Sequence, residues 1–423
     1  MNTLQRMADR GSVAPSGIGP ARAARDHPAL VRGRWDRKTR ALFWILLVAA
    51  GLLAVPVYAG IITLTATRGG SYVNSVFLFW GWSKFIHVVS PASAIYVPHL
   101  LYAFEHGIVG MPRSPMPFAY PPSLLLLIWP LALVAPVTAW ALWLGASLAV
   151  YVWACWQRPW GVWAAALGLM APSTVAAVYA AQTSLLAAAL MIGGCRLLGR
   201  RPVLAGVLFG LLTVKPQYGM LVPVALVSAR QWRSVMAATA TAALLVLSSG
   251  AVFGWTAWTR LPTALAALAR LVARFRVFDQ YSITVTSGLR LLGAGPMVTT
   301  LGQVAAAAGT AVAVWFCFRR GVTPLGCAAL MVGAFLVTPY AQYYDLPMVS
   351  YAVLLLVTDR HRGCRRFRGG ELVVLVLVVA LPFLVRVPSV PWGMIALGPL
   401  FGLIVRRIAI LGSAAAAGGR VGS

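Results

Sequence analysis

Residues 182–233 read QTSLLAAALMIGGCRLLGRRPVLAGVLFGLLTVKPQYGMLVPVALVSARQWR, and they decide the fold class. One apolar run covers 182–198 and ends at Arg200-Arg201; a second, 203–229, is interrupted by Lys215-Pro216 and closed by Arg230 and Arg233. About 20 apolar residues in a helix cross the hydrocarbon of a bilayer. Short arginine-bearing loops between such runs mark the cytoplasmic side. The pattern is that of a helical membrane protein.

Working outward, the whole chain agrees. Its 423 residues are 60% apolar and only 10% charged, with a mean hydropathy of +0.82, whereas soluble domains carry about 25% charged residues. The net charge of +27 would suggest a nucleic-acid partner in a soluble protein. Here the arginines fall between apolar runs, so membrane orientation accounts for them and no nucleic acid is implied. Residues 1–41 hold nine Lys/Arg among Gly, Ala and Pro. They read as a disordered basic cytoplasmic tail rather than a cleaved signal, because the following apolar run is too long for a signal core. The membrane domain is expected over 42–408 and a second cytoplasmic tail over 409–423. Cys155, Cys195, Cys317 and Cys327 lie in or beside apolar runs and Cys364 in an arginine-rich loop, which implies neither a disulfide framework nor a zinc site.

Further apolar runs cover 42–64, 121–136, 138–156, 161–180, 232–253, 295–318, 322–338, 345–358, 371–387 and 390–408. The expected fold is an all-α polytopic membrane bundle of about ten to twelve transmembrane segments with a re-entrant segment and interfacial helices. The clusters at Arg200/Arg201, Arg230/Arg233, Arg319/Arg320, 360–368 and Arg406/Arg407 are placed inside. The stretches 65–120, 254–294 and 338–345 are then outside. Between Tyr120 and Arg200 the number of crossings must be odd, yet four apolar runs occur. The run 161–180, broken at Pro172, is expected to enter and leave from the outside, and 203–229 reads as a hairpin from the inside with Lys215-Pro216 at its tip. Interrupted helices at membrane depth are tolerated only where protein buries them or a wet cavity borders them.

With eight acidic residues in all, the search for chemistry is short. Glu105, Asp279 and Asp345 are the three placed at the outer side, where a carboxylate near membrane depth is costly and marks a candidate site. Arg260, Arg270, Arg274, Arg276 and Arg290 lie in the outer stretch 254–294, against the charge rule. They either snorkel from an interfacial helix, WTAWTRLPTALAALARLVARF (255–275), or grip a phosphate; Arg274 and Arg276 could also neutralise Asp279. VFLFWGWSKFIHVV (76–89) reads as a second interfacial segment. Lys215 must meet an anion, either a lipid phosphate or one of the three acids. Gln182 offers a sugar hydroxyl both a donor and an acceptor, or else bonds helix to helix. Tyr120-Pro121-Pro122 enforces an extended entry into a span. No phosphate-cradling glycine loop, GxSxG elbow or HExxH helix occurs, and the five histidines lack ligand spacing, so no metal or cofactor is expected.

Three stretches together, AYPPSLLLLIWPLALVAPVTAWALW (119–143), residues 180–233 and LVTPYAQYYDLPM (336–348), resemble the membrane glycosyltransferases of family 87, of the GT-C fold, related to polyprenol-phosphate-mannose-dependent mannosyltransferases. The resemblance implies an outward-facing cavity that takes a polyprenyl-phosphate sugar and passes the sugar, with inversion, to an acceptor hydroxyl. It also implies a first-loop aspartate as general base, just before an aromatic run. Here that run is VFLFW (76–80), preceded by Asn74-Ser75, and neither is a carboxylate; Glu105 or Asp345 would have to substitute. The expected roles are Lys215 with Arg274 or Arg276 on the donor phosphate, Asp345 or Glu105 as base, and Gln182, Tyr120 and Tyr344 on sugar hydroxyls, with Asp279 also near the substrate. The expected partners are the lipid bilayer, the lipid-linked donor and an envelope glycan or lipid acceptor. The protein is placed in the inner membrane, multi-pass, with its N-terminus cytoplasmic. The missing loop aspartate keeps open a non-catalytic transporter or assembly partner for lipid-linked sugars.

Overall fold

The computed structural model describes residues 54–61, 63, 75–108, 117–156, 161–359 and 367–418. The basic tail 1–41 and much of the expected first span lie outside the described residues; 54–61 are helical. Among the described residues there is no strand, only an isolated bridge between Ser282 and Gln342. Helices α1 (Ser75–Val88) and α2 (Pro98–His106) are joined through a 3-10 turn, Ala92–Tyr96. There follow α3 (Pro122–Ile128), α4 (Pro136–Cys155), α5 (Gly161–Met170), α6 (Pro172–Ala180), α7 (Ser184–Leu197), α8 (Pro202–Leu211), α9 (Val222–Ser228) and α10 (Trp232–Phe253). The remainder comprises α11 (Trp255–Arg274), α12 (Arg276–Tyr281), α13 (Val285–Leu291), α14 (Pro296–Phe318), α15 (Pro324–Val337), α16 (Pro347–Thr358), α17 (Gly369–Leu384) and α18 (Trp392–Gly418). Many helices begin on proline, whose fixed φ and missing N–H suit the first turn.

Two helices form the centre. From Leu185 to Cys195 nearly every residue of α7 is buried, and from Leu325 to Val337 every residue of α15 is. Both are apolar all round, as a fully enclosed helix must be, and rich in Ala and Gly, so that neighbours approach closely. Gly194 lies directly beneath the Phe209 ring of α8. The outer helices invert the usual pattern. Leu244, Leu247 and Val252 on α10, Met297, Val298, Leu301 and Val304 on α14, and Val373 and Val376 on α17 are exposed. A soluble monomer would not present so much contiguous apolar surface; hydrocarbon is its natural solvent.

Among the described residues, four helices are long and apolar enough to cross a membrane: α4, α10, α14 and residues 392–412 of α18. Helices α5 and α6, bent by 61° across Ala171-Pro172, make a fifth as one broken span or a re-entrant loop. The ten to twelve segments read from hydropathy are not confirmed by this count, which leaves out most of 42–64. The other apolar helices are 10–17 residues long even where short 3-10 extensions are included, because prolines and 3-10 turns cut the apolar runs before a bilayer's thickness is reached. The expected outer stretches are more regular than their polarity suggested. Residues 255–274 form one helix despite Pro262, and 76–89 belong largely to α1, whose Phe77, Phe79, Trp82 and Phe85 are buried against the protein. The expected tail from 409 is helical through Gly418, since Ala415, Ala416 and Ala417 favour continuation.

The 203–229 run turns back on itself. Ser234 Oγ donates to the Pro202 carbonyl at 2.8 Å, Gly206 faces Ser234 and Ala237, and Gly210 faces Ala238 and Thr241. Both numbers climb together, so α8 and α10 run parallel, and α9 must bring the chain back between them. Lys215-Pro216 therefore stands at the far end of a hairpin. The parallel seam is a GxxxG contact against small residues: a Cβ on Gly206 would come 2.4 Å from the Ser234 carbonyl oxygen, and one on Gly210 2.6 Å from that of Ala238. Gly206→Leu or Gly210→Leu should destabilise the detergent-solubilised protein by about 1–3 kcal/mol or more, seen as a lowered melting temperature. Gly145→Leu, where a Cβ meets nothing within 4 Å, should leave melting nearly unchanged.

Candidate functional site

Four helix interruptions meet at the end of the bundle opposite the arginine pairs. The first is 117–123, where Pro121 is extended (φ −59°, ψ 150°) and Pro122 opens α3. In the second, Ala181 ends α6 in the left-handed conformation (φ 47°) and α7 restarts at Ser184. The third is the hairpin tip, where Lys215 (φ −142°, ψ 69°) is kept out of helix by Pro216. The fourth, 338–345, begins where α15 stops before Pro339. Ser123 Oγ bonds the Thr213 carbonyl at 3.3 Å, linking the first interruption to the third.

Their polar side chains converge on Asp345. Lys215 Nζ lies 2.5 Å from Asp345 Oδ1, and Ser184 Oγ donates to the same oxygen at 2.5 Å. Asp345 Oδ2 accepts the Gln342 backbone N–H at 3.1 Å. Lys215 is 3% exposed and Asp345 2%. The ammonium stands 5.1 Å from the Tyr218 ring centre, a cation–π contact favoured by desolvation. Beside the pair, Tyr120 OH donates to Gln182 Oε1 at 2.9 Å and Tyr96 OH to the Tyr120 carbonyl at 2.8 Å. Lys215, Asp345, Ser184, Thr183 and Tyr218 form a buried floor; Tyr120, Gln182, Tyr340 and Tyr344 are half-buried at its edge. Among the described residues, the buried Tyr218 hydroxyl, Thr183 Oγ1 and Gln342 Nε2 lie beside Asp345, Tyr120 and Tyr340 but make no hydrogen bond of good geometry. Buried polar groups are normally satisfied, and orphans mark places for water or ligand.

Residues 282–303 hold the fourth interruption in place. Ser282 Oγ and the Ile283 N–H both reach the Ala341 carbonyl, at 2.9 and 3.1 Å. Gln303 Nε2 caps the Leu336 and Val337 carbonyls at the end of α15, at 3.0 and 2.9 Å, while its Oε1 accepts from Thr286.

Of the residues singled out in the sequence, Lys215, Asp345, Gln182 and Tyr120 come together, and Tyr344 stands at the edge. Lys215 takes the ion-pair alternative, with Asp345 as its partner. Asp279, 4% exposed, has Arg290 at 3.4 Å as a counter-ion, a residue less close in sequence than Arg274 or Arg276. Arg274 is exposed, with its guanidinium 5.7 Å from the Phe275 ring; the Arg276 side chain lies outside the described residues. Glu105 is not part of the ion-pair cluster. Its Oε1 accepts Trp82 Nε1–H at 3.0 Å, and Trp82 packs 6.0 Å from Tyr120, ring centre to ring centre. Ser184, Thr183 and Tyr218 were not singled out, because a small hydroxyl at a helix start and a tyrosine after Pro-Gln look ordinary until the fold supplies their neighbour.

Burial pushes the Glu105 carboxyl up to about 7, opposed by the Trp82 hydrogen bond. The arginines gather elsewhere: Arg196 bonds the Trp153 and Ala154 carbonyls at the end of α4, and Glu371 pairs with Arg407 at 3.6 Å and Arg406 at 3.9 Å. No group of metal-binding side chains occurs among the described residues.

A sequence model described as glycosyltransferase family 87 matches residues 118–339, just over half of the chain. The match takes in Tyr120, Gln182, Ser184 and Lys215 and stops short of Asp345. No curated protein and no solved structure matches the chain.

Breaking a buried pair from one side strands a charge. Asp345→Leu or Lys215→Met alone should therefore cost about 3–5 kcal/mol of stability, and the double variant markedly less, as thermal melting in detergent would register. Glu105 runs the other way. Its folded-state value is raised, so the stability from burying the neutral acid is full below the ordinary carboxylate value of 4.5 and is lost as pH rises toward about 7. Tryptophan fluorescence of the wild type should show a transition near pH 7 that Glu105→Gln lacks.

Proposed function

The chain belongs to glycosyltransferase family 87, and from that premise we propose that this membrane protein moves a hexose, mannose-like in class, from a polyprenyl-phosphate donor to a cell-envelope glycan or lipid acceptor. The reaction takes place at the outer face of the inner membrane, with the N-terminus cytoplasmic. The observation that carries the reading is the buried Lys215–Asp345 pair where four helix interruptions meet. An ammonium kept in a dry site, with donor capacity beyond its single carboxylate, is suited to a phosphate ester.

The chemistry asks little else. Phosphate leaves an anomeric carbon as a stabilised anion, so a general acid is unnecessary; the protein must stabilise the departing charge and accept one proton. Lys215 serves the first need and a carboxylate, Glu105 or Asp345, the second. Gln182, Tyr120 and Tyr344 present hydroxyl and amide groups to the sugar. Arg274 and Arg276 are the further candidates for the donor phosphate, and Asp279 serves by holding α12 to α13 through Arg290.

Asn74-Ser75 before VFLFW favours a second reading, in which the same site carries lipid-linked sugars without transfer. Purified protein in liposomes with labelled polyprenyl-phosphate mannose and envelope lipid extract separates the two. Transfer by the wild type, reduced at least tenfold in Lys215→Met, is expected. Movement of the donor across the bilayer without transfer would establish the second reading instead.

A further inference from the structure

We propose that the two carboxylates divide the work: Asp345 is a positioning residue that holds the Lys215 ammonium for the donor phosphate, and Glu105 is the group that takes the acceptor proton. The inference rests on the transferase reading above and assigns roles within it.

Asp345 is poorly placed to be a base. Its Oδ1 already accepts Lys215 and Ser184, and its Oδ2 accepts the Gln342 N–H. Three of its roughly four lone-pair positions are occupied, and the buried Tyr218 hydroxyl is an electrostatic neighbour. Geometry adds a second objection. In a single displacement the nucleophile enters opposite the leaving phosphate, so the base and the phosphate anchor stand on opposite sides of the anomeric carbon. In inverting glycoside hydrolases, by analogy, the carboxyls on the two sides of such a centre stand roughly 6.5–9.5 Å apart. An oxygen 2.5 Å from Lys215 Nζ is on the phosphate's side. What Asp345 can do from there is give the lysine a partner in an apolar setting and fix its direction, leaving two of its N–H groups for the donor phosphate.

Glu105 has the complementary properties. It is 4% exposed, bonded through one oxygen to Trp82, and paired with no cation among the described residues. Trp82 joins it to Tyr120 and thence to Gln182 at the edge of the site. Its titration near neutrality suits an acceptor of protons at cellular pH. Most of the surrounding charged and titratable groups have partners other than Glu105. Tyr102 on α2 couples to Glu105; Lys84 of α1 stands over Trp80, and His87 of α1 bonds the Ser83 carbonyl. Tyr96 of the 92–96 turn bonds Tyr120, and Arg260 of α11 bonds Ser93. His99 and His106 lie on α2 itself. In the step, the acceptor oxygen bonds the anomeric carbon and its proton passes to Glu105. The carbon–oxygen bond to phosphate breaks, and its electron pair leaves with the polyprenyl phosphate beside Lys215.

The test uses full-length protein in liposomes, measuring equilibrium binding of labelled polyprenyl-phosphate mannose and the pH dependence of transfer. Asp345→Asn should weaken donor binding and raise its KM at least tenfold while the acid limb of kcat remains, and Asp345→Glu should recover most of the binding. Glu105→Gln should bind donor normally, lose about 100-fold or more in kcat, and lose the acid limb centred near pH 7. Asp345→Asn with normal donor binding and abolished kcat, or Glu105→Gln with an intact rate and limb, would overturn the assignment. Melting and chromatographic profiles identify any variant that fails to fold. The Lys215→Met/Asp345→Leu double variant, which replaces the pair with apolar side chains, should fold and still fail to bind donor. A wild type that binds donor without transferring sugar would defeat the transferase reading alone. The donor-binding comparison in Asp345→Asn would then still decide the positioning role, and no binding by the wild type would end both.

Discussion

An ammonium cannot be left in the dry interior of a helix bundle unless an anion meets it, and that requirement organises the functional end of this protein. Lys215 reaches its carboxylate only because a span-length apolar run folds back at Pro216 and another helix stops before Pro339. The ion pair then ties the tip of one interrupted helix to the mouth of another, 130 residues apart in sequence. A charge expensive to bury is tolerable here because three donors share the carboxylate and an aromatic face covers the lysine.

The rest of the bundle makes that junction possible. Parallel packing of α8 against α10 through Gly206 and Gly210 brings the hairpin close to its neighbours, and α7 and α15 enclose it as apolar pillars. The segments 92–96 and 260–290 contribute connections. Arg260 grips Ser93, Arg290 pairs with Asp279, and Ser282 clasps the loop before Asp345. A stretch that breaks the charge rule in the sequence thus serves, in part, to brace the loops around the site.

Two carboxylates of similar chemistry lie in unlike surroundings. Asp345 is saturated with donors, among them a cation, whereas Glu105 has one neutral partner and is raised by burial. Environment, more than residue type, separates an acid held in place by a cation and two further donors from one that burial pushes up toward neutrality.

Composition and apolar runs were enough to establish a helical membrane protein, because hydrocarbon admits so few backbone arrangements. The Lys215-Pro216 break and the bend at Pro172 were equally legible, since proline acts on its own neighbours. How far each apolar run stays helical was not: a hydropathy run measures apolar length, whereas a helix ends wherever a backbone hydrogen bond is lost. Nor could the sequence choose among three acids for Lys215, or show that Ser184, Tyr218 and Trp82 matter. Those contacts join residues far apart in the chain, and only packing of the helices brings them within a few ångströms.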